Sequence, residues 1–198
     1  MKTHKKPAIL PGIRNITVSG RIGTGKTTLA ENLGEILGWK VIDGGKVFRK
    51  LTKEMGHHIK DTQKRPDSFD LLYEEKIKKL LKEEKNHIIQ SHLAGFDAQG
   101  IEGVYKILVV CKNKEGKDKT SVRIDRLMNR DNINVDEAKE EIIEREKQNL
   151  EKFRRLYAKN DKTWVYWDSK YYDLIVNTYS LNKKEAVEFV LKNLKHKH

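Results

Sequence analysis

The sequence predicts an α/β fold in three layers, a five-stranded parallel sheet flanked by helices on both faces. Three observations predict it. Short β-rich runs alternate with stretches whose apolar residues recur at helical spacing, the pattern of βαβ units. The run Lys106–Cys111 is apolar almost throughout, as a parallel strand covered on both sides should be. A glycine-rich turn from Gly20 to Gly25 joins the first strand to the first helix.

Asn15–Ser19 is the first strand, ending at Gly20. Thr27–Leu37 carries Leu29, Leu33, Ile36 and Leu37 at helical spacing and stops at Gly38, a residue suited to a left-handed helix end. Trp39–Ile42 is a second strand, closed by Asp43-Gly44-Gly45. Lys46–Met55 is a helix (Val47, Phe48, Leu51, Met55) ending at Gly56. Ser68–Glu84 is amphipathic, with Phe69, Leu72, Tyr73, Ile77, Leu80 and Leu81 on one face. His87–Gln90 is the third strand and Lys106–Cys111 the fourth. A charged loop, Lys112–Lys119, leads to helices over Thr120–Asn129 and Val135–Tyr157. Leu174–Val176 is the fifth strand and Lys184–Leu194 the last helix.

The 198 residues include 41 Lys plus Arg against 29 Asp plus Glu, a net charge of +12. That length suits one domain, here 15–198 behind a basic N-terminal tail of 1–14. No run of about 18 apolar residues is present, so no membrane span is expected. Met1–Arg14 is basic without an apolar core and does not read as a secretory signal. A single cysteine, Cys111, excludes an intramolecular disulfide and a multi-cysteine zinc site and points to a reducing, cytoplasmic setting. The excess charge calls for an anionic partner. Basic clusters alternate with acidic stretches rather than forming a stripe, which favours phosphates on a small molecule over nucleic acid.

Gly20-Arg21-Ile22-Gly23-Thr24-Gly25-Lys26-Thr27 fits G-x-x-x-x-G-K-[ST], between a strand and a helix. Glycines let successive N–H groups turn toward a phosphate, and the helix dipole adds to the attraction. Gly20, Gly23, Thr24, Gly25, Lys26, Thr27 and Thr28 are therefore the candidate ATP-binding residues of a P-loop NTPase fold. Lys26 would reach the β- and γ-phosphates, and the Thr27 hydroxyl would ligate Mg²⁺. For the acceptor, Arg49 lies beside the sheet's ligand-binding edge. Arg123, Arg126 and Arg130, spaced by three and four, share a helix face, and Arg145 comes on the next helix. A planar guanidinium grips several phosphate oxygens at once, so these four are candidate catalytic residues with Lys26. Asp43 is the one candidate general base. An acceptor that is itself a phosphate needs none, because its oxygen is already anionic. Lesser candidates are Asp97 and Asp168 for magnesium-bound water or ribose, and His57 and His58, which read as exposed. Trp164, Tyr166 and Trp167 read as core packing.

Ile16–Gly20 running into Gly25-Lys26-Thr27-Thr28-Leu29-Ala30, then Gly45-Lys-Val-Phe48-Arg49-Lys-Leu51 with Glu54-Met-Gly56, resemble segments of a known family. So do Leu93-Ala94-Gly95-Phe96, Val122–Asp131, Arg145-Glu146 and Tyr172–Thr178. Together, over about 15–190, they resemble the archaeal-type (type 2) cytidylate kinases of the nucleoside monophosphate kinase superfamily. The resemblance implies a monophosphate-binding segment at about 45–85 and a helical lid at about 120–157. It implies transfer of phosphate from ATP to CMP or dCMP with Mg²⁺, by a protein expected to be a monomer. Arg49 matches the family's contact to the acceptor phosphate, with Asp43 and Gly45 beside it. Arg123, Arg126, Arg130 and Arg145 match the lid arginines. Where the family has Gly-Arg before Leu-Ala-Gly, this chain has Ser91-His92, so His92 takes the second acceptor-phosphate position. The alternatives are a P-loop kinase of another small metabolite with Asp43 as base, and a nucleotide-gated nucleic-acid-binding protein using the basic termini and the 112–119 loop.

Overall fold

The computed structural model describes residues 6–54, 56 and 66–195. His57, His58 and Met55 lie outside them. Five strands form one sheet: β1 (Asn15–Gly20), β2 (Lys40–Asp43), β3 (His87–Gln90), β4 (Val104–Val110) and β5 (Leu174–Asn177). Their order is β2-β3-β1-β4-β5, and every pairing is parallel. In β1, Asn15 lies opposite His87 on one side and Val104 on the other. Because all strands run one way, Gly20, Asp43, Gln90 and Val110 end at the same edge, the edge where ligands bind in such sheets.

Helices α1 (Lys26–Leu37) and α8 (Lys183–Lys195) cover one face of the sheet. Ile16, Val18, Ile107 and Val109 meet Leu29, Leu33, Val187 and Val190 there in the largest core cluster. Each such side chain, once fully buried, contributes roughly 1.5–3 kcal/mol. The second face carries α3 (Asp67–Glu83) and the short α4 (Ala94–Asp97), with Tyr73, Ile77 and Leu81 against Ile89 and Val104. Asn15 is wholly buried yet satisfied: its amide donates to the Leu81 and Glu84 carbonyls and its Oδ1 accepts from His87 N. It thereby closes the end of α3 and ties that helix to β1 and β3. From Ala8 onward the basic leading segment lies against the domain, with Ala8 N donating to Leu37 O and Trp39 Nε1 to Ala8 O.

Several boundaries differ from the sequence expectation. Helix α2 is Gly44–Glu54, so Gly44 and Gly45 are its first turn rather than a turn closing β2. Asp43 Oδ1 accepts from Lys46 N at 3.0 Å, capping the helix two residues earlier than the apolar pattern suggests. Gly44 has no room for a Cβ, which would press on Tyr73 Oη and lie 2.8 Å from both Gln90 O and Ser91 Cβ. Strand β4 begins at Val104, and α4 has no periodic signature at four residues long. Helix α5 extends to Asp131. The helical stretch 135–157 is α6 (Val135–Lys139), a π-helical turn (Glu140–Arg145) and α7 (Glu146–Tyr157). Such turns widen the helix locally, re-aim the side chains of the next turn and occur often at functional sites. Tyr166 is buried with Leu93 and Phe153, and Trp164 and Trp167 pack against them.

Candidate active site

One cleft of about 780 Å³ opens along the shared strand edge. Its first wall is the loop between β1 and α1. Gly23 adopts φ +75°, and a Cβ there would lie 2.6 Å from Arg123 O. Gly25, at φ +95°, is the N-cap of α1 and offers no side-chain cap. The first N–H groups of α1 are therefore left for an anion. Gly23, Lys26, Thr27 and Thr28 line the cleft. Lys26 is buried, and its Nζ donates to Arg21 O at 2.6 Å. Burial lowers its pKa to about 7, against the pull of Glu146 and with help from Arg123 and Arg130. Thr24 faces away, its hydroxyl donating to Arg21 O at 2.9 Å.

Thr27 Oγ1 receives Gln90 Nε2 at 3.2 Å, and the same amide donates to Asp43 Oδ1 at 3.2 Å. Motif and spacing do not single out Gln90. Its one signal in the sequence is a polar residue closing an apolar strand at the ligand edge. Among the described residues no group of three His, Cys, Asp or Glu could hold a metal. A hydroxyl with amide and carboxylate groups behind it does suit a cation that keeps most of its waters.

Asp43, Gly45 and Arg49, from the end of β2 and α2, also line the cleft. Gly45 lies against the Arg49 guanidinium. Arg130 and Arg145 also line the cleft; Arg130 pairs with Asp131 at 2.7 Å and Arg145 with Glu141. His92 lines it too, with Nδ1 at 3.1 Å from Gly20 O and 3.4 Å from Tyr166 Oη. A carbonyl only accepts, so Nδ1 carries the hydrogen and Nε2 is an acceptor. Burial, together with the charges of Lys26 and Arg145, holds the imidazole well below its ordinary pKa. In this neutral tautomer His92 has no hydrogen to give a phosphate from Nε2.

Arg123 and Arg126 lie off the cleft lining. Arg123 is 0% exposed and reaches Glu146 at 3.3–3.4 Å, with Asp118 at 3.5 Å. Arg126 donates to Thr178 Oγ1 at 2.8 Å and Thr178 O at 2.7 Å. Spacing places three arginines along one helix face. About 10 Å of helix separates Arg123 from Arg130, however, so each meets a different neighbour. Glu146, the first residue of α7, is a hub that spacing does not reveal. It accepts Ile22 N at 3.1 Å and Arg21 Nε at 2.7 Å as well as Arg123. The loop 112–119 folds back, and its Asp118 pairs with Arg21 at 3.3 Å. Asp168 caps a short turn by accepting Lys170 N, away from the cleft.

Residues 15–180 match the cytidylate kinase-like family. A cytidylate kinase of Saccharolobus islandicus (strain L.S.2.15 / Lassen #1) is 30% identical over 179 residues, covering 89% of this chain and 88% of that protein. A cytidylate kinase of Thermococcus kodakarensis is 34% identical over 165 residues, covering 82% and 78%. A shikimate kinase from Acinetobacter baumannii, solved with shikimate, shares the fold at a TM-score of 0.59 and 14% identity over 92% of this chain and 93% of that one. No described helix is long and apolar enough to cross a membrane. With the match running from the first residue of β1 through the turn after β5, the chain belongs to the cytidylate kinase-like family, and its chemistry is that of a nucleoside monophosphate kinase.

Proposed function

We propose that the protein transfers the γ-phosphoryl group of ATP to CMP or dCMP. One observation carries this reading: Gly23, Lys26 and Thr27 of the glycine-rich loop line one cleft together with Arg49, Arg130 and Arg145. Lys26 and the N-terminus of α1 hold the donor phosphates, and Arg49 holds the acceptor phosphate. Arg130 and Arg145 neutralise charge on the group in flight, which with positioning is most of what phosphoryl transfer requires. Arg123 and Arg126 serve from behind, one against Glu146 and the other against Thr178. Asp43 Oδ1 already accepts from Lys46 N and Gln90, which favours an acceptor needing no base. Mg²⁺ would be held through the Thr27 hydroxyl, with Asp43 and Gln90 orienting its waters. When bound it would offset negative charge on the donor phosphates. Residues 45–85 form the monophosphate-binding segment and 120–157 the lid, closing together to exclude water. The protein works as a cytoplasmic monomer.

A coupled assay of ADP formation with CMP, dCMP, UMP, AMP and GMP tests the reading. Turnover with CMP or dCMP above all others is expected, and no acceleration with any of the five sinks it. Arg49→Ala removes a charge-assisted contact worth about 1.5–3 kcal/mol, so the acceptor KM should rise about 10- to 100-fold with the ATP KM little changed. Unchanged acceptor kinetics would remove Arg49 from the site.

A further inference from the structure

Arg126 lies off the cleft, and its contacts give it a task other than gripping phosphate. The turn after β5 that it reaches is firmly fixed. Thr178 N donates to Val110 O at 2.9 Å, Asn177 Oδ1 accepts from Lys112 N, and Asn177 Nδ2 donates to Lys112 O. On this base, Arg126 of α5 (Thr120–Asp131) donates through Nη2 to Thr178 O at 2.7 Å and through Nη1 to Thr178 Oγ1 at 2.8 Å. A guanidinium only donates, so the hydroxyl accepts from Arg126 and keeps its one hydrogen to give. Thr24 O lies 2.7 Å from Oγ1 and Val110 O 3.2 Å. The shorter contact receives that hydrogen, and Val110 O already accepts from Thr178 N.

Thr24 O belongs to the same peptide unit as Gly25 N–H. The unit is planar and trans, so its C=O and N–H point in opposite directions. A hydroxyl that draws Thr24 O toward Thr178 therefore turns Gly25 N–H away from Thr178. Gly23 and Gly25 both have positive φ, a stretch of backbone with little restraint of its own, so its N–H directions depend on groups outside it. Glu146 holds this loop at Ile22 N, and Thr178 holds it further along, at the start of α1.

We propose that Thr178 is a positioning residue for the donor phosphates: its hydroxyl relays the grip of Arg126 to the Thr24–Gly25 peptide and sets the direction of Gly25 N–H. The proposal rests on the kinase reading above, in which the N-terminus of α1 holds the donor phosphates. It gives Arg126 its place behind them. An N–H aimed in advance needs no ordering when ATP binds, so the gain lies in ATP affinity and not in acceptor affinity.

The test is the ATP affinity of the full chain by calorimetry, with the KM values for ATP and CMP beside it, in the wild type, Thr178→Val and Thr178→Ser. Valine keeps the shape and loses the hydroxyl. Thr178→Val should weaken ATP binding and raise the ATP KM about 3- to 10-fold, the scale of one neutral hydrogen bond, with the CMP KM within about twofold of wild type. Thr178→Ser keeps the hydroxyl, and its ATP values should stay within about twofold of wild type. Arg126→Met should act in the same direction as Thr178→Val. The two together should weaken ATP binding by less than the product of the single effects, because both cut one chain. A cooperative thermal melt shows which variants are folded, and Thr178→Ala takes the place of Thr178→Val if that variant is not. An ATP affinity unchanged within about twofold without the hydroxyl, a CMP KM that rises in parallel, a serine variant no better than the valine one, or a fully multiplicative double variant overturns this inference and leaves the kinase reading standing. A wild type that binds ATP but turns over no monophosphate overturns the kinase reading, while the calorimetric series still decides the role of Thr178.

Discussion

Lys26→Ala should lower kcat by about 10³-fold, the scale on which removal of one preorganised donor to developing charge is felt. The fold should survive. Lys26 Nζ bonds only the Arg21 carbonyl among the described residues, and Thr24 Oγ1 also serves that carbonyl. Burial of the ammonium gives the prediction a pH signature. Its folded pKa of about 7 lies below the ordinary 10.5. Between those values the unfolded chain binds the extra proton, so this group's contribution to stability rises with pH across that window. A bound polyphosphate restores the charge, so ATP binding near pH 8 should take up a proton in the wild type and not in Lys26→Ala. Calorimetry in buffers of different ionisation enthalpy reads this directly. A kcat within tenfold of wild type would remove Lys26 from the reaction.

Glu146→Ala should be the most destabilising single change at the site. It strips Arg123, which is 0% exposed, of its main counter-ion, leaving Asp118 at 3.5 Å. Breaking a buried ion pair from one side costs about 3–5 kcal/mol, against a total stability of about 5–15 kcal/mol. At this chain length that is a Tm loss of about 10 °C, measurable by thermal melt. The same change releases Ile22 N and Arg21 from α7, so the ATP KM should rise. Adding Arg123→Met to Glu146→Ala removes the orphaned charge and should recover most of the stability. The phosphate-binding loop would stay unanchored, so the raised ATP KM should persist. A loss below about 1 kcal/mol in Glu146→Ala would show that the network carries no such load. Glu146 also fastens α7 to the loop between β1 and α1, and Arg145, which lines the cleft, is the last residue of the π turn before it.

The glycine-rich loop and the strands were legible because their causes are local. A G-x-x-x-x-G-K-T turn needs only its own glycines, and a buried parallel strand announces itself by an apolar run. The start of α2 was less legible, because it depends on the Asp43 cap and on the room left by Tyr73, Gln90 and Ser91, which arrive from other elements. The π turn is hidden for a related reason: the apolar pattern of 135–157 runs through it unbroken.

Sequence by itself determined the layered parallel sheet, the glycine-rich loop between β1 and α1, and Arg49 as a cation beside the strand edge. Only the tertiary structure decided which of four spaced arginines line the cleft, and that Glu146 holds Ile22 from 124 residues away. It also decided that His92 spends its one hydrogen on Gly20 O, and that Tyr73 and Glu74 line the same cleft as Lys26 and Arg49. The physical reason is one of range. Periodicity and turn chemistry are set within a few residues. Burial, charge and hydrogen-bond partners depend on what the fold brings alongside.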